Sequence, residues 1–156
     1  MRDEDLMRRA IALSREQLRT GAGGPFGAVV ARAGEIVAEG VNRVTSTNDP
    51  TAHAEIIAIR AACRALGTFT LAGCAIYTSC EPCPMCLAAI YWARLDRLCF
   101  ANGRADAAAI GFDDARIDAV LARPRAARAI PAVRVLADEA RDVFAAWTAK
   151  TDKIRY

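Results

Sequence analysis

The segment that decides the fold is residues 74–94, which read CAIYTSCEPCPMCLAAIYWAR. Its first part, 74–79, is mainly apolar and is typical of a buried strand. The dipeptide Glu81-Pro82 follows, and we predict a helix over 83–94, because proline is favoured in the first turn of a helix. A strand that leads directly into a helix is a basic unit of layered α/β domains.

The rest of the chain alternates between strand and helix patterns in the same way. We predict four further strands, at 26–32, 35–42, 97–101 and 132–137. We predict further helices at 3–19, 51–66, near 115–122 and 138–149. The helix over 51–66 is expected to follow Asp49 as its cap, with Pro50 in its first turn, and residues 43–48 are expected to form a polar loop. This order of elements predicts a layered α/β domain.

The composition fits a single folded domain and excludes several classes of protein. Of the 156 residues, 54% are hydrophobic and 25% are charged, which rules out a disordered chain. The net charge of +3 is too small to impose a nucleic-acid or membrane role by itself. The longest uncharged run, 65–80, falls short of the ~18 apolar residues of a membrane helix, and residues 1–5 show no secretory signal. We therefore expect one domain over 1–156 in the cytoplasm, where thiols stay reduced.

Three residues have the types and spacing of a zinc site that keeps one position open. Cys83 and Cys86 lie three residues apart at a predicted helix start, where exposed N–H groups favour the thiolate. His53, the only histidine in the chain, lies near the start of another predicted helix and can supply a third ligand. Three protein ligands leave the fourth position for water, which is characteristic of catalytic zinc. We predict one Zn²⁺ per chain with a bound water.

Glu55 supplies proton chemistry that the metal cannot. Zinc lowers the pKa of its water towards ~7, but a hydroxide that attacks a ring carbon still needs a group to move its proton. A carboxylate two residues beyond a ligand can carry that proton to the ring nitrogen and the leaving amine. The pattern H-x-E…P-C-x-x-C is the signature of zinc deaminases. We therefore interpret Glu55 as the catalytic residue.

The other four cysteines leave one alternative open. Cys80 could close a structural zinc site with His53, Cys83 and Cys86, although we expect it to project away from the helical pair at the end of its strand. An iron–sulfur cluster of the ferredoxin type is excluded, because the fourth cysteine and the proline of that pattern are missing. Small buried hydrophobic roles are expected for the remaining three, Cys63, Cys74 and Cys99.

Beyond the zinc motif, the chain resembles the bacterial guanine deaminases of the cytidine deaminase-like superfamily nearly from end to end. The segments that carry the resemblance are Gly23-Gly24-Pro25-Phe26-Gly27-Ala28, Asn48–Glu55, Tyr77–Cys86, Ile90–Arg94, Gly111-Phe112-Asp113-Asp114 and the terminal Tyr156. The zinc motif by itself indicates deamination, whereas the flanking segments indicate guanine as the substrate.

The resemblance implies a three-layer α/β fold with a five-stranded mixed sheet sandwiched by helices. It also implies a homodimer in which the C-terminal segment, about 138–156, is swapped across the interface. In such a dimer Phe112, Asp114 and Tyr156 would close the partner's pocket. The implied reaction is the zinc-dependent hydrolysis of guanine at C2 to xanthine and ammonia, in which zinc-bound hydroxide attacks and Glu55 shuttles the proton.

The side chains around these motifs suit a purine base. Asp114 can accept hydrogen bonds from the N1–H and 2-amino donors of guanine, and Asn42 offers both a donor and an acceptor. Phe26 and Trp92 can stack on the base, which is worth about 1–3 kcal/mol. For Trp92, packing in the core is an equally good interpretation. Asp114 has an alternative interpretation as the cap of the helix that follows it. The expected substrate-binding residues are Phe26, Asn42, Ala54, Trp92, Phe112, Asp114 and Tyr156.

Other functions share part of this pattern. The tRNA adenosine deaminases carry both motifs, but an RNA-binding protein needs more basic surface than this chain offers with two lysines. A non-enzymatic zinc-stapled module would have a closed metal site and no role for Glu55. Another amino-purine, a nucleoside or another amino-heterocycle is a further alternative substrate. We expect a small purine base as the partner, with no nucleic acid and no membrane.

Overall fold

The structure, a computed structural model, describes all residues from Met1 to Tyr156, which form two compact units, 1–115 and 116–156. The helices are α1 (Asp3–Thr20), α2 (Val44–Thr47), α3 (Ala54–Leu66), α4 (Pro84–Trp92), α5 (Arg104–Ala109), α6 (Ala115–Leu121) and α7 (Ala137–Ala149). The strands are β1 (Gly27–Arg32), β2 (Glu35–Val41), β3 (Cys74–Cys80) and β4 (Arg97–Asn102). None of the helices combines the length and the apolar character that crossing a lipid bilayer requires.

The strands form one mixed sheet in the order β2-β1-β3-β4. Strand β1 is antiparallel to both of its neighbours, and β3 and β4 are parallel. A parallel pair requires a crossover connection, and α4 provides it between β3 and β4. The ligand-bearing segment between β3 and α4 therefore lies at the carboxyl end of a central strand.

Helices cover both faces of the sheet, because successive side chains of a strand point to opposite sides. On one face Ala28 and Val30 of β1 pack against α3 and α4. On the other face Val29 packs against Leu6 and Ala10 of α1. The expected packing of helices on a mixed sheet is confirmed, and α3 and α4 share one face.

Helix α3 lies directly on the backbone of β2 at Gly40. A Cβ atom at Gly40 would lie 2.1 Å from the carbonyl oxygen of Ala54 and 2.5 Å from the backbone nitrogen of Ala58. Only glycine leaves room for so close an approach. Because Ala54 is the first residue of α3, this contact determines how closely the first turn of α3 approaches the sheet.

The start of α3 differs from the prediction, which placed it at 51 with Asp49 as the cap. The carboxylate of Asp49 instead accepts hydrogen bonds from the backbone N–H and the hydroxyl of Thr51, at 2.8 and 2.7 Å, in a local turn. His53 is the N-cap, with an extended backbone at φ −71° and ψ 156°. The expected polar loop, 43–48, contains the short helix α2, whose last residue, Thr47, bonds back to Arg43.

The predicted fifth strand at 132–137 is wrong, and the sheet has four strands. Val133 and Val135 alternate with polar or small residues as in a strand, but no strand pairs with this segment and both valines are exposed. Leu136 has a positive φ of 52° and is the N-cap of α7, so the backbone turns where a strand would continue. An alternating pattern predicts a strand only if a neighbouring strand takes up its hydrogen bonds.

Candidate active site

Two helix starts supply all three candidate metal ligands. His53 is the N-cap of α3, and Cys83 is the N-cap of α4, with Pro84 in the first helical position. Cys86 follows three residues later on α4, so its thiol lies on the same side of the first turn as that of Cys83. The backbone of each N-cap is extended, which is the conformation that precedes a helix.

The three side chains have the geometry of a tetrahedral zinc site. Nδ1 of His53 lies 3.6 Å from Sγ of Cys83 and 3.5 Å from Sγ of Cys86, and the three atoms lie within 4.8 Å of one another. Zn–N bonds of ~2.0–2.1 Å and Zn–S bonds of ~2.3 Å at a tetrahedral angle would place a nitrogen and a sulfur about 3.6 Å apart. These residues therefore fit one zinc ion and leave a coordination position open.

Cys80 does not belong to the group of residues that could hold the metal. It is the last residue of β3, as the sequence predicted, and its thiol points to the carbonyl oxygen of Gly103 at 4.0 Å. Burial raises the pKa of the Cys80 thiol to about 11, so it stays protonated at neutral pH. Among the other three, Cys74 is buried as predicted, whereas Cys63 and Cys99 are only half-buried.

The ligands exchange hydrogen bonds that prepare one thiolate. The pKa of Cys83 is lowered to about 4, chiefly because the thiol of Cys86 donates a hydrogen bond to it. That hydrogen bond, together with burial, raises the pKa of Cys86. The pKa of His53 is raised by its hydrogen bond to Cys83. Because zinc binds thiolates, metal binding must displace the thiol proton that the pair of Cys83 and Cys86 retains.

Glu55 is buried beside this centre, in the first turn of α3. Burial is the main reason why the pKa of its carboxyl is raised, because removal from water disfavours the charged form. A hydrogen bond with the thiol of Cys86 acts in the opposite direction. A raised pKa makes the carboxylate a stronger base, which suits a group that takes up a proton during a reaction.

A cavity of about 240 Å³ adjoins the metal ligands. His53, Glu55 and Cys83 form part of its lining. The rings of Phe26 and Phe112 meet edge to face, with their centroids 4.8 Å apart and their planes at 86°. Four of the predicted substrate-binding residues line this cavity, namely Phe26, Asn42, Phe112 and Asp114. Phe112 and Asp114 therefore lie at the cavity of their own chain.

The other three predicted substrate residues do not lie in the cavity lining of this unit. Ala54, the first residue of α3, is buried in the core. Trp92 is 66% exposed at the end of α4. Tyr156 belongs to the C-terminal unit and is 72% exposed. Their roles in substrate binding stay predictions.

The cavity lining also includes residues that were not predicted to bind the substrate. Cys80 and Glu81 line it directly before the ligand pair, and their place next to the Pro-Cys-x-x-Cys motif is a signal that could have found them. Val44 and Thr45 line it from the segment after β2, where no sequence pattern indicates a site, and Pro50 lies in one of the segments that carry the family resemblance. Two long-range hydrogen bonds near the cavity also could not be predicted from the sequence. One runs from Arg104 to the carbonyl oxygen of Pro82 at 3.2 Å, and the other from Gln17 to the carbonyl oxygen of Asn42.

Asn42 is held so that its donor faces the cavity. Its side-chain oxygen accepts hydrogen bonds from the backbone N–H groups of Gly24 and Val44, both at 3.2 Å. Two N–H donors identify this atom as the oxygen of the amide. No protein group accepts from the amide nitrogen, which is not fully buried, and Asn42 lines the cavity. The residue therefore offers a ligand a donor, not the donor and acceptor that we expected.

The fold and the metal centre together define the class of the protein. The family model of the cytidine and deoxycytidylate deaminase zinc-binding region matches residues 1–102, which include all three ligands and Glu55. The chain belongs to this family of zinc-dependent deaminases. The four-stranded unit with its helix-start metal site is therefore the zinc-binding domain of that family.

Within the family, the chain is similar over its full length to a guanine deaminase. It is 49% identical over 156 residues to guanine deaminase from Bacillus subtilis (strain 168), with both chains covered completely. The X-ray structure of guanine deaminase from Bacillus subtilis superposes with a TM-score of 0.97 at 49% identity, over 100% of this chain and 99% of that one. By contrast, the tRNA-specific adenosine deaminase of Aquifex aeolicus (strain VF5) is 45% identical over 76 residues, 49% of this chain and 50% of that protein.

Proposed function

We propose that this protein catalyses the hydrolytic deamination of guanine to xanthine and ammonia. The observation that carries the proposal is a cavity that joins a three-ligand metal centre and a buried carboxylate to aromatic and polar side chains suited to a purine. The full-length similarity to guanine deaminase supports guanine over other amino-heterocycles. The reaction consumes one water and releases the 2-amino group as ammonia.

Glu55 is the group that moves protons in this reaction. A bound zinc ion supplies the nucleophile at neutral pH, because it lowers the pKa of coordinated water towards ~7. Glu55 would take a proton from the attacking water and deliver it to the ring nitrogen next to C2, which makes C2 a better electrophile. Glu55 would then move the second proton of that water from the new C2 hydroxyl group to the 2-amino group, so that the C–N bond breaks and ammonia leaves. The raised pKa of its buried carboxyl suits a group that must hold a proton between these steps.

The other lining residues bind the base and fix its orientation. The amide nitrogen of Asn42 donates to an acceptor on the base, and guanine presents two adjacent acceptors, O6 and N7. Asp114 accepts from the N–H donors on the opposite edge of guanine. The edge-to-face pair of Phe26 and Phe112 offers an aromatic surface for the planar ring.

The charge of the cavity favours a free base over a nucleotide or a nucleic acid. Three carboxylates line it, those of Glu55, Glu81 and Asp114, and no lysine or arginine does. A phosphate group close to these carboxylates would be repelled and would find no basic side chain in the lining to bind. The tRNA-specific adenosine deaminase of Aquifex aeolicus matches 49% of this chain, whereas the guanine deaminase of Bacillus subtilis matches all of it. We therefore infer that RNA is not the substrate.

We further infer that two copies of the chain associate. Helix α4 exposes Tyr91 and Trp92, and α7 exposes Val143, Phe144 and Trp147. Clusters of exposed large apolar side chains mark surfaces that bind another protein. A homodimer that swaps the segment 138–156 would cover such surfaces within one assembly, with Tyr156 closing the pocket of the partner. A location in the cytoplasm stays a prediction of the sequence.

The test is an ammonia-release assay on the zinc-loaded protein with guanine, guanosine, adenine, cytosine and aminopyrimidines. We expect turnover of guanine to exceed that of every other compound and to yield xanthine in equal amount. Faster turnover of guanosine than of guanine would contradict a free-base enzyme. Faster turnover of adenine than of guanine would contradict guanine as the substrate. A tRNA stem-loop assayed in the same way and turned over faster than guanine would favour the tRNA adenosine deaminases.

A further inference from the structure

Gln17 is a buried polar side chain in an otherwise exposed turn of α1. It is 4% exposed, whereas the adjacent Leu18 is 73% exposed. Burying a side-chain amide costs free energy unless its polar atoms find partners. Its Nε2 donates to the backbone carbonyl oxygen of Asn42, 25 residues further along the chain. This hydrogen bond ties the end of α1 to the residue that follows β2.

The peptide of Asn42 is held from two further directions. Its backbone N–H donates to the carbonyl oxygen of Phe26 at 3.2 Å. The backbone of Gly23 lies against the carbonyl oxygen that Gln17 binds, since a Cβ atom at Gly23 would be 2.1 Å from it. The carbonyl group of Asn42 is therefore confined between the Gln17 amide and the Gly23 backbone.

The position of this peptide decides what the Asn42 side chain presents to the cavity. Both hydrogen bonds of the side-chain oxygen, at 3.2 Å, come from the backbone N–H groups of other residues, Gly24 and Val44. A rotation of the Asn42 backbone would lengthen both bonds, and N–H···O bonds weaken rapidly beyond ~3.2 Å. The amide nitrogen would then lose its fixed direction towards the cavity.

We propose that Gln17 is a positioning residue that acts through Asn42. It fixes the Asn42 peptide, so that the amide nitrogen is a fixed donor for the acceptor edge of the purine. The inference rests on the proposed function, in which Asn42 binds that edge. It adds that α1, which contributes no residue to the cavity lining, determines how the base is oriented.

A double-mutant cycle tests the proposal. Gln17→Leu removes the donor at similar volume, and we expect it to lower kcat/KM for guanine by roughly 10-fold or more, as expected for a misplaced binding group. Asn42→Ala should also lower kcat/KM. In the Asn42→Ala background, Gln17→Leu should have no further effect beyond about twofold, because both changes remove one interaction. Equal losses in the two backgrounds would overturn the proposal, since a general packing defect acts regardless of Asn42.

Two further variants keep the test decisive. Gln17→Met also lacks the donor, and its flexible side chain fills the same space if the leucine variant folds poorly. Leu18→Ala is the matched control on the same turn and should leave kcat/KM unchanged. Zinc content and melting temperature confirm that each variant is folded. Unchanged kcat/KM in both Gln17 variants refutes the role of Gln17, whereas unchanged kcat/KM in Asn42→Ala refutes the base-binding role of Asn42 in the proposed function.

Discussion

Glu55 combines burial with a position beside the metal ligands but is not one of them. Gln at this position keeps the shape of the side chain and cannot carry a proton. We expect Glu55→Gln to retain zinc while ammonia release from guanine falls by roughly 10²–10⁴-fold, the usual contribution of a general acid–base group. Metal analysis and an ammonia assay on the same preparation check both parts. A fully active variant would remove Glu55 from the mechanism.

Asp114 tests the binding side of the same cavity. We expect Asp114→Asn to lower kcat/KM for guanine by roughly 10- to 100-fold, because a carboxylate that accepts from N–H donors is replaced by a group with one acceptor and unwanted donors. Zinc content should not change, since Asp114 is not among the candidate ligands. Steady-state kinetics measure kcat/KM for guanine, and metal analysis of the same preparation measures the zinc content. Equal losses of zinc and of activity would make Asp114 a structural residue.

At the scale of single residues, the sequence predicted the chemistry but not the support around it. His53, Glu55 and the two cysteines could be found because their spacing is local to two short motifs. Gln17 and Gly23 could not, because each acts through a backbone contact with Asn42 from a distant part of the chain. Such a contact depends on how segments pack and leaves no pattern in the local sequence.

The elements α3 and α4 bring the ligands together only through their first turns, and a pair of serine variants tests this arrangement. Cys83→Ser replaces a sulfur that lies 3.6 Å from Nδ1 of His53, and we expect most of the bound zinc to be lost. Cys80→Ser alters a thiol at the end of β3 that is outside the ligand group, and we expect about one zinc per chain to remain. Metal analysis after dialysis against a chelator measures both. Zinc loss in the Cys80 variant would favour a closed four-ligand site.

The hydrogen bond that joins α1 to β3 should make the free energy of unfolding depend on pH in the alkaline range. The hydroxyl of Tyr77 donates to Asp3 at 2.7 Å, and burial raises the pKa of Tyr77 to about 12, above the ~10 of an unfolded chain. The folded state therefore binds the Tyr77 hydroxyl proton more tightly than the unfolded state does. The contribution of this group to the free energy of unfolding is complete below pH ~10 and is lost as the pH rises towards 12. We expect the free energy of unfolding to fall by about 1–2 kcal/mol more over this range than in Tyr77→Phe. Urea unfolding of both proteins at pH 9 and 11.5 measures the difference, and parallel curves would contradict it.

At the scale of elements, the periodic segments were predicted well and the short ones were not. The four strands of the sheet were predicted to within one residue at each end, because their apolar runs are bounded by turn residues. Helices α2 and α5 were missed, since four and six residues are too few for a helical period to show. The false strand at 132–137 had a strand pattern without a partner, and pairing is a property of the whole sheet.

For the whole molecule, the exposed apolar side chains of α4 and α7 predict that the protein is a dimer. Light scattering should give a mass of twice 16.7 kDa. Trp92→Arg introduces a charge into the proposed interface, and we expect it to shift the population towards the monomer. The zinc content of this variant reports whether the metal site survives in the monomer. A monomeric mass for the unaltered protein would refute the proposed association and the swapped segment with it.

The close approach of Gly40 to α3 makes the metal centre sensitive to a residue that takes no part in its chemistry. Because the first carbonyl oxygen of α3 lies only 2.1 Å from where a Cβ atom would be, one added methyl group would push away the turn that bears Glu55. A related protein that keeps the His-Ala-Glu and Pro-Cys-x-x-Cys motifs can therefore still be inactive. A single Gly40→Ala substitution on β2 could abolish activity while every metal ligand is preserved. The substitutions that this enzyme tolerates are therefore limited by the packing under the site as well as by the site itself.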